Sequence, residues 1–186
     1  ALELRVVISQ AAVNPQPVAM FNASAIPCEN APVLFDDVSN TYAGFITKWS
    51  WDFGDGNTQQ ILFPASGDTD HTFAAPGSYT VKLTITSSDS CTAERIETIV
   101  INPAPVANFE VENPCQGTAA QFNDLTQTGG TGALNGWNWN FGDGASGGYN
   151  TSTLQNPSHT YAASGDYQVS LTVSTANGCT STFVKT

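Results

Sequence analysis

"WSWDFGDG" occupies residues 49–56, and "WNWNFGDG" occupies residues 137–144. Alternate residues of a β-strand share a face. Trp49, Trp51 and Phe53 therefore fall on one side, with Ser50 and Asp52 opposite. Trp137, Trp139 and Phe141 repeat that face, now opposed by Asn138 and Asn140. Each string then closes on Gly-Asp-Gly. Asp-Gly after an alternating run signals a hairpin, because glycine tolerates the positive φ that a tight turn needs. Gly54, Asp55 and Gly56, and again Gly142, Asp143 and Gly144, are read as such turns, with Asp55 and Asp143 accepting backbone N–H bonds across them.

The duplication extends well beyond the turns. "NPQPVAMF" at residues 14–21 returns as "NPAPVANF" at 102–109, 88 residues on. Cys28 returns as Cys115 at an offset of 87, while Trp51, His71 and Cys91 return as Trp139, His159 and Cys179 at 88. Two tandem copies of one domain are expected, at residues 14–101 and 102–186. "LELRVVIS" at residues 2–9 alternates like a strand, and residues 1–13 are expected to be an N-terminal strand or stub of an upstream region. Thr186 aligns with Thr98, so the last strand of the second copy is expected to be cut short. The junction "INPAPVANF" reads as a short extended linker.

Period two recurs in "YTVKLTIT", with Tyr79, Val81, Leu83 and Ile85 inward, and in "YQVSLTVS", with Tyr167, Val169, Leu171 and Val173 inward. No stretch keeps a helical period. Short half-buried strands between frequent turns imply an all-β protein: two tandem immunoglobulin-like β-sandwiches.

Composition narrows the function. Five Lys and Arg face 16 Asp and Glu, for a formal charge of −11. Such a surface repels phosphate backbones and anionic lipid, which excludes nucleic acid as a partner. No apolar run reaches the roughly 20 residues of a membrane span. At 40% hydrophobic residues the chain can build a core.

Four cysteines allow three pairings. The repeat selects Cys28–Cys91 and Cys115–Cys179, since each copy then closes on itself over 63 and 64 residues. Loops of that length correspond to about 4 kcal/mol of stabilisation in the chain-entropy model. Four buried thiols are the alternative. Zinc is disfavoured, with no C-x-x-C string and two histidines. Paired cysteines place the chain in an oxidising, extracellular setting.

A catalytic carboxylate pair at Asp52 and Asp55 loses one member in the second copy, where position 140 is Asn. Neither G-x-S-x-G nor H-E-x-x-H occurs. His71 and His159 each precede a Thr-aromatic pair at a strand start, where a histidine is expected to tie a loop to the backbone. No catalytic residue is expected.

The W-x-F-G-D-G string (Trp51, Asp52, Phe53, Gly54, Asp55, Gly56; in the second copy Trp139, Phe141, Gly142, Asp143, Gly144) resembles the signature of PKD domains. So do "HTFAAPGSYTVKLTI" at 71–85 and "HTYAASGDYQVSLTV" at 159–173. The resemblance covers residues 18–186 twice over. PKD domains are immunoglobulin-like modules first described in polycystin. The resemblance implies a β-sandwich used by large extracellular proteins, often bacterial adhesins and polymer-degrading enzymes, as a spacer or interaction module. The cysteine placement is similar to that of PKD repeats in large bacterial surface proteins.

Some PKD domains bind calcium through a D-x-D-G loop. The corresponding "SNTYAGF" at 39–45 and "TQTGGTGALNG" at 126–136 lack those carboxylates, so no cofactor is expected. Asp36, Asp37, Asp68, Asp70 and Asp89 remain as partial ligands should calcium bind. Tyr42, Phe45, Phe63 and Tyr149 are the loop aromatics, with Phe45 and Phe63 expected to cover the sandwich ends. The resulting expectation is a non-catalytic spacer or interaction module of a secreted or cell-surface protein, in an adhesin-type repeat array. Its partners would be neighbouring repeats and an extracellular polysaccharide or protein. The alternative is a carbohydrate- or protein-binding accessory module on a secreted polymer-degrading enzyme.

Overall fold

The computed structural model describes residues 15–112, 115–130 and 132–186, so the stub expected at 1–13 lies outside the described residues. The first copy of the repeat forms β1 (Phe21–Ala23), β2 (Pro32–Asp37), β3 (Ile46–Asp52), β4 (Thr58–Leu62), β5 (Thr69–Thr72), β6 (Gly77–Ser87) and β7 (Thr92–Ile101). The second forms β8 (Phe109–Glu112), β9 (Ala119–Asp124), β10 (Leu134–Asn140), β11 (Thr151–Ser152), β12 (Ser158–Thr160), β13 (Val169–Thr175) and β14 (Thr180–Lys185), with a 3₁₀ segment at Gly144–Asn150. Each copy has a three-stranded sheet, β1-β2-β5 or β8-β9-β12, and a four-stranded sheet, β4-β3-β6-β7 or β11-β10-β13-β14. Paired sheets of short antiparallel strands are the immunoglobulin-like sandwich.

By packing, the chain forms two compact units. Of the described residues, the first takes those within Ala1–Ala23, Leu34–Thr69 and Tyr79–Thr98, and the second those within Ser24–Val33, Asp70–Ser78 and Ile99–Thr186.

The alternation seen in the sequence sets what each sheet buries. In β13, Val169, Leu171, Val173 and Thr175 are buried while Ser170, Thr172 and Ser174 are half-buried. In the second unit Phe109 and Phe122 of one sheet meet Trp139 of the other, with ring centroids 5.1 and 5.5 Å apart. Ala107, Ala120, Phe141, Val169, Leu171 and Val173 complete that core. The first unit repeats the arrangement, with Phe21 and Phe35 at 5.1 and 5.5 Å from Trp51. Edge-on and tilted packing of this kind suits the ring quadrupoles. Register repeats too: Trp51 lies opposite Leu83, and Trp139 opposite Leu171. Among the described residues no helix is long and apolar enough to cross a membrane.

The cysteine pairing differs from the sequence expectation. Cys28 is bonded to Cys179, with Cα atoms 5.8 Å apart, and not to Cys91. Cys91 and Cys115 are free thiols, half-buried and exposed respectively. The reason lies in the second unit, where Asn102 holds both bonded residues. Its N–H donates to Pro27 O and its carbonyl accepts from Glu29 N–H, each at 2.9 Å. Its side-chain oxygen accepts from Asn177 Nδ2 at 3.1 Å, two residues before Cys179. Equal loop lengths describe the entropy of the unfolded chain and do not decide which turns become neighbours. The observed bond closes a separation of 151 residues, corresponding to about 5 kcal/mol in the same model.

Candidate functional site

The repeated Trp-to-Gly string forms the turn that follows β3 and β10. In the first copy β3 and β4 pair as a hairpin, and Phe53 N–H donates to Asn57 O at 3.1 Å across its mouth. Asp52 Oδ1 accepts Gly54 N–H at 3.0 Å. Asp55 Oδ1 accepts Asn57 N–H, also at 3.0 Å. Gly54 has φ +77°, and a Cβ there would come within 2.5 Å of Thr80 O. Both facts require glycine.

The second turn keeps this frame around a longer insert. Phe141 N–H donates to Asn150 O at 2.9 Å, so the 3₁₀ segment is looped out between the same anchors. Asn140 Oδ1 accepts Gly142 N–H at 2.9 Å, the bond that Asp52 makes. Gly142 has φ +70°, and a Cβ there would lie 2.5 Å from Gln168 O.

Asp143 departs from the turn reading: its carboxylate caps no backbone N–H of the turn and meets a side chain instead. It is buried, and its Oδ2 accepts from His159 Nε2 at 3.0 Å. Its own N–H donates to Asn150 Oδ1 at 2.6 Å. The expectation that His159 ties a loop to the backbone is corrected accordingly, since the ring holds a carboxylate. Phe141 stacks on His159 at 4.5 Å, and Tyr161 meets it edge-on at 4.6 Å. Both members of the pair are buried. Tyr161 donates its OH to Phe141 O at 2.9 Å. Burial, then the nearby Asp143 charge and Tyr167, push its phenol up to about 12. In the second unit His71 packs edge-on against Phe73 at 4.7 Å.

Two of the candidate calcium ligands, Asp37 and Asp68, are engaged in local hydrogen bonds. Asp37 accepts Trp49 Nε1 at 2.6 Å on one oxygen and Ser39 N–H at 3.1 Å on the other. Asp68 Oδ1 accepts Asp37 N–H at 2.8 Å, and its Oδ2 accepts Ser66 Oγ at 2.8 Å. The structure thus brings Asp37 and Asp68 together through a backbone amide. Asp36 alternates to the other face of β2 and is exposed, Asp70 lies in β5, and Asp89 sits in the turn between β6 and β7. Among the described residues no group of three or more His, Cys, Asp or Glu is arranged to hold a metal.

The second copy rebuilds the Asp37 and Asp68 frame with different chemistry. Asp124 accepts Trp137 Nε1 at 2.7 Å and Thr126 N–H at 3.0 Å, as Asp37 does from Trp49 and Ser39. Burial pushes the Asp124 carboxyl up, but hydrogen bonds from Thr126, Trp137 and Gln155 outweigh it and hold the group below its ordinary 3.8. Asn156 Oδ1 accepts Asp124 N–H at 2.8 Å, the role of Asp68. Position 156 is position 68 of the repeat, so a carboxylate and an amide again serve as the same acceptor.

Surface aromatics are the remaining candidates. Phe45 and Phe63 form a tilted pair with centroids 4.8 Å apart in the first unit. They are 49% and 56% exposed rather than closed over the sandwich ends. Tyr42 and Tyr149 are more exposed still. Sequence reasoning named these residues but missed the pair, because Phe63 reaches Phe45 from a loop of no repeated spacing.

A model of the PKD domain matches residues 14–101 and again residues 102–186. The chain belongs to the PKD domain family. A curated relative, the microbial collagenase of Vibrio alginolyticus, is 34% identical over 91 residues, which is 48% of this chain and 11% of the collagenase. The chain therefore spans about a tenth of that relative's length. Among solved structures, the PKD1 domain of Vibrio anguillarum Epp is 24% identical with a TM-score of 0.43, the match covering 49% of this chain and 99% of the other. The PKD1 domain of the Vibrio cholerae metalloprotease PrtV is 27% identical with a TM-score of 0.41, covering 47% and 99%. The two PKD regions account for residues 14–186 of the chain.

Proposed function

We propose that this PKD pair is a non-catalytic extracellular spacer and interaction module of a large secreted or cell-surface protein, set in an adhesin-type array of repeats. The observation that carries this reading is the exchange of Asp52 for Asn140 and of Asp68 for Asn156 with each backbone hydrogen bond kept. A carboxylate used for proton transfer loses that function on becoming an amide. An acceptor in a turn does not. The bonded cysteines fit an oxidising compartment. Neighbouring repeats of the same polypeptide are its first partners.

A second reading is an accessory module on a secreted polymer-degrading enzyme. The exposed Phe45–Phe63 pair favours it, since such rings can stack on a sugar face or an apolar side chain. The collagenase relative favours it as well. Retention of the chain on insoluble collagen and on insoluble polysaccharides, with millimolar calcium and again with a chelator, separates the two. The spacer is expected to be retained in neither arm. Retention that disappears in Phe63→Ala would replace the spacer with the accessory module, and calcium dependence would restore a cation site.

A further inference from the structure

The bond between Cys28 and Cys179 joins two different positions of the repeat. Cys28 and Cys115 are the first-cysteine positions of the two copies, while Cys91 and Cys179 are the second-cysteine positions. One of each kind is bonded, and the two left over, Cys91 and Cys115, are again one of each kind.

The free cysteines also sit in the frames of the bonded ones. Ser87 N–H donates to Cys91 O at 2.9 Å, as Thr175 N–H does to Cys179 O. Cys91 N–H donates to Ser87 Oγ at 3.2 Å, as Cys179 N–H does to Thr175 Oγ1. Ser90 holds φ +64° where Gly178 holds +84°. A left-handed serine is uncommon and marks a turn fixed by its surroundings. On the other side, Thr118 N–H donates to Cys115 O at 3.1 Å, as Ala31 N–H does to Cys28 O at 3.3 Å. Gly117 N–H donates to Tyr161 O where Asn30 N–H donates to Phe73 O, and both residues have positive φ, +74° and +58°. Each free thiol thus presents the backbone of a half-site whose counterpart is already bonded within the same chain.

We infer that Cys91 and Cys115 are the two halves of a repeat-to-repeat disulfide, Cys115 of one pair joining Cys91 of the next in the manner of Cys28 and Cys179. The partner is another copy of the same repeat, and a second molecule of this chain supplies one. The oxidant is a small-molecule disulfide such as oxidised glutathione. One protein thiolate attacks it, releasing one small thiol and leaving a mixed disulfide. The second protein thiolate then displaces the other small thiol. The two electrons and two protons of the protein thiols end on the two small thiols. This extends the spacer reading, yet retention on a polymer is silent about thiol pairing, so the two stand or fall separately.

The test takes the whole chain, equimolar in ¹⁴N and ¹⁵N forms, into a glutathione redox buffer. Electrophoresis without reductant should show a ladder of linked chains, and peptide mapping should find mixed-isotope Cys91–Cys115 links beside an intact Cys28–Cys179 bond. Mixing Cys91→Ser with Cys115→Ser should give the heterodimer in roughly tenfold excess over either homodimer beyond the statistical ratio, the selectivity that about 1.4 kcal/mol of preference confers. Statistical dimers overturn the proposal. So do glutathione adducts without linked chains, or a map showing Cys28–Cys91 and Cys115–Cys179.

Discussion

The turns after β3 and β10 are built on one frame and filled differently. The first spans Phe53 to Asn57, and the second carries the 3₁₀ segment Gly144–Asn150 between Phe141 and Asn150, yet each closes with the same backbone bond. Both keep the aromatic face, the close-approach glycine and the oxygen acceptor at position 52 or 140. The length and sequence of the insert are free. Identity between the copies therefore marks the scaffold, and anything specific to one ligand belongs to the parts that differ, such as the Phe45–Phe63 pair.

The largest effect should come from what the copies share most deeply. Trp139 is fully buried and donates Nε1–H to Leu154 O at 2.9 Å. Trp139→Ala is expected to cost about 3–5 kcal/mol by denaturant unfolding, and Trp51→Ala a similar amount. A loss under about 1 kcal/mol in one copy alone would break the equivalence of the two cores. Next comes the glycine contrast. Gly142→Ala meets Gln168 O at positive φ and should cost about 2 kcal/mol or more, while Gly144→Ala meets nothing within 4 Å and should stay within about 0.5 kcal/mol.

A smaller difference sharpens the acceptor argument. Asn140→Ala removes the oxygen that holds Gly142 N–H and should cost about 1 kcal/mol, whereas Asn140→Asp, which writes the first copy's residue into the second, should be near neutral. Equal losses for both would return a chemical role to that position.

Two groups of the second copy carry a pH dependence. The Tyr161 phenol is raised from 10.0 to about 12, so its contribution is fully present below pH 10 and fades as pH rises toward 12. Ultraviolet titration should show a late-titrating tyrosine that Tyr161→Phe removes. Asp124 is held below 3.8, so its contribution is present above that value and disappears as pH falls through the folded pKa. Asp124→Asn should flatten the acid limb of an unfolding curve.

Much of this was legible in the sequence. Alternation around Trp49 to Phe53 and Tyr79 to Ile85 gave the strands and most of the core, because period two and burial are local properties. The duplication exposed the Asp52/Asn140 exchange before its hydrogen bond was visible. The cysteine pairing was not legible, since it depends on Asn102 holding two turns that lie far apart in sequence. The Asp143–His159 bond was hidden for a similar reason: both residues stood out, but only the packing of β12 sets the ring against that turn. The Phe45–Phe63 pair had no repeated spacing to announce it.

The covalent link between residues 28 and 179 also decides where tension runs. A pull applied outside those two residues passes through the sulfur atoms and leaves the 151-residue span between them out of the load path. About 500 Å of extended chain, at roughly 3.3–3.6 Å per residue, is withheld from stretching until a reductant arrives. A string of such links would behave under load as an inextensible cable whose slack is released only by reduction.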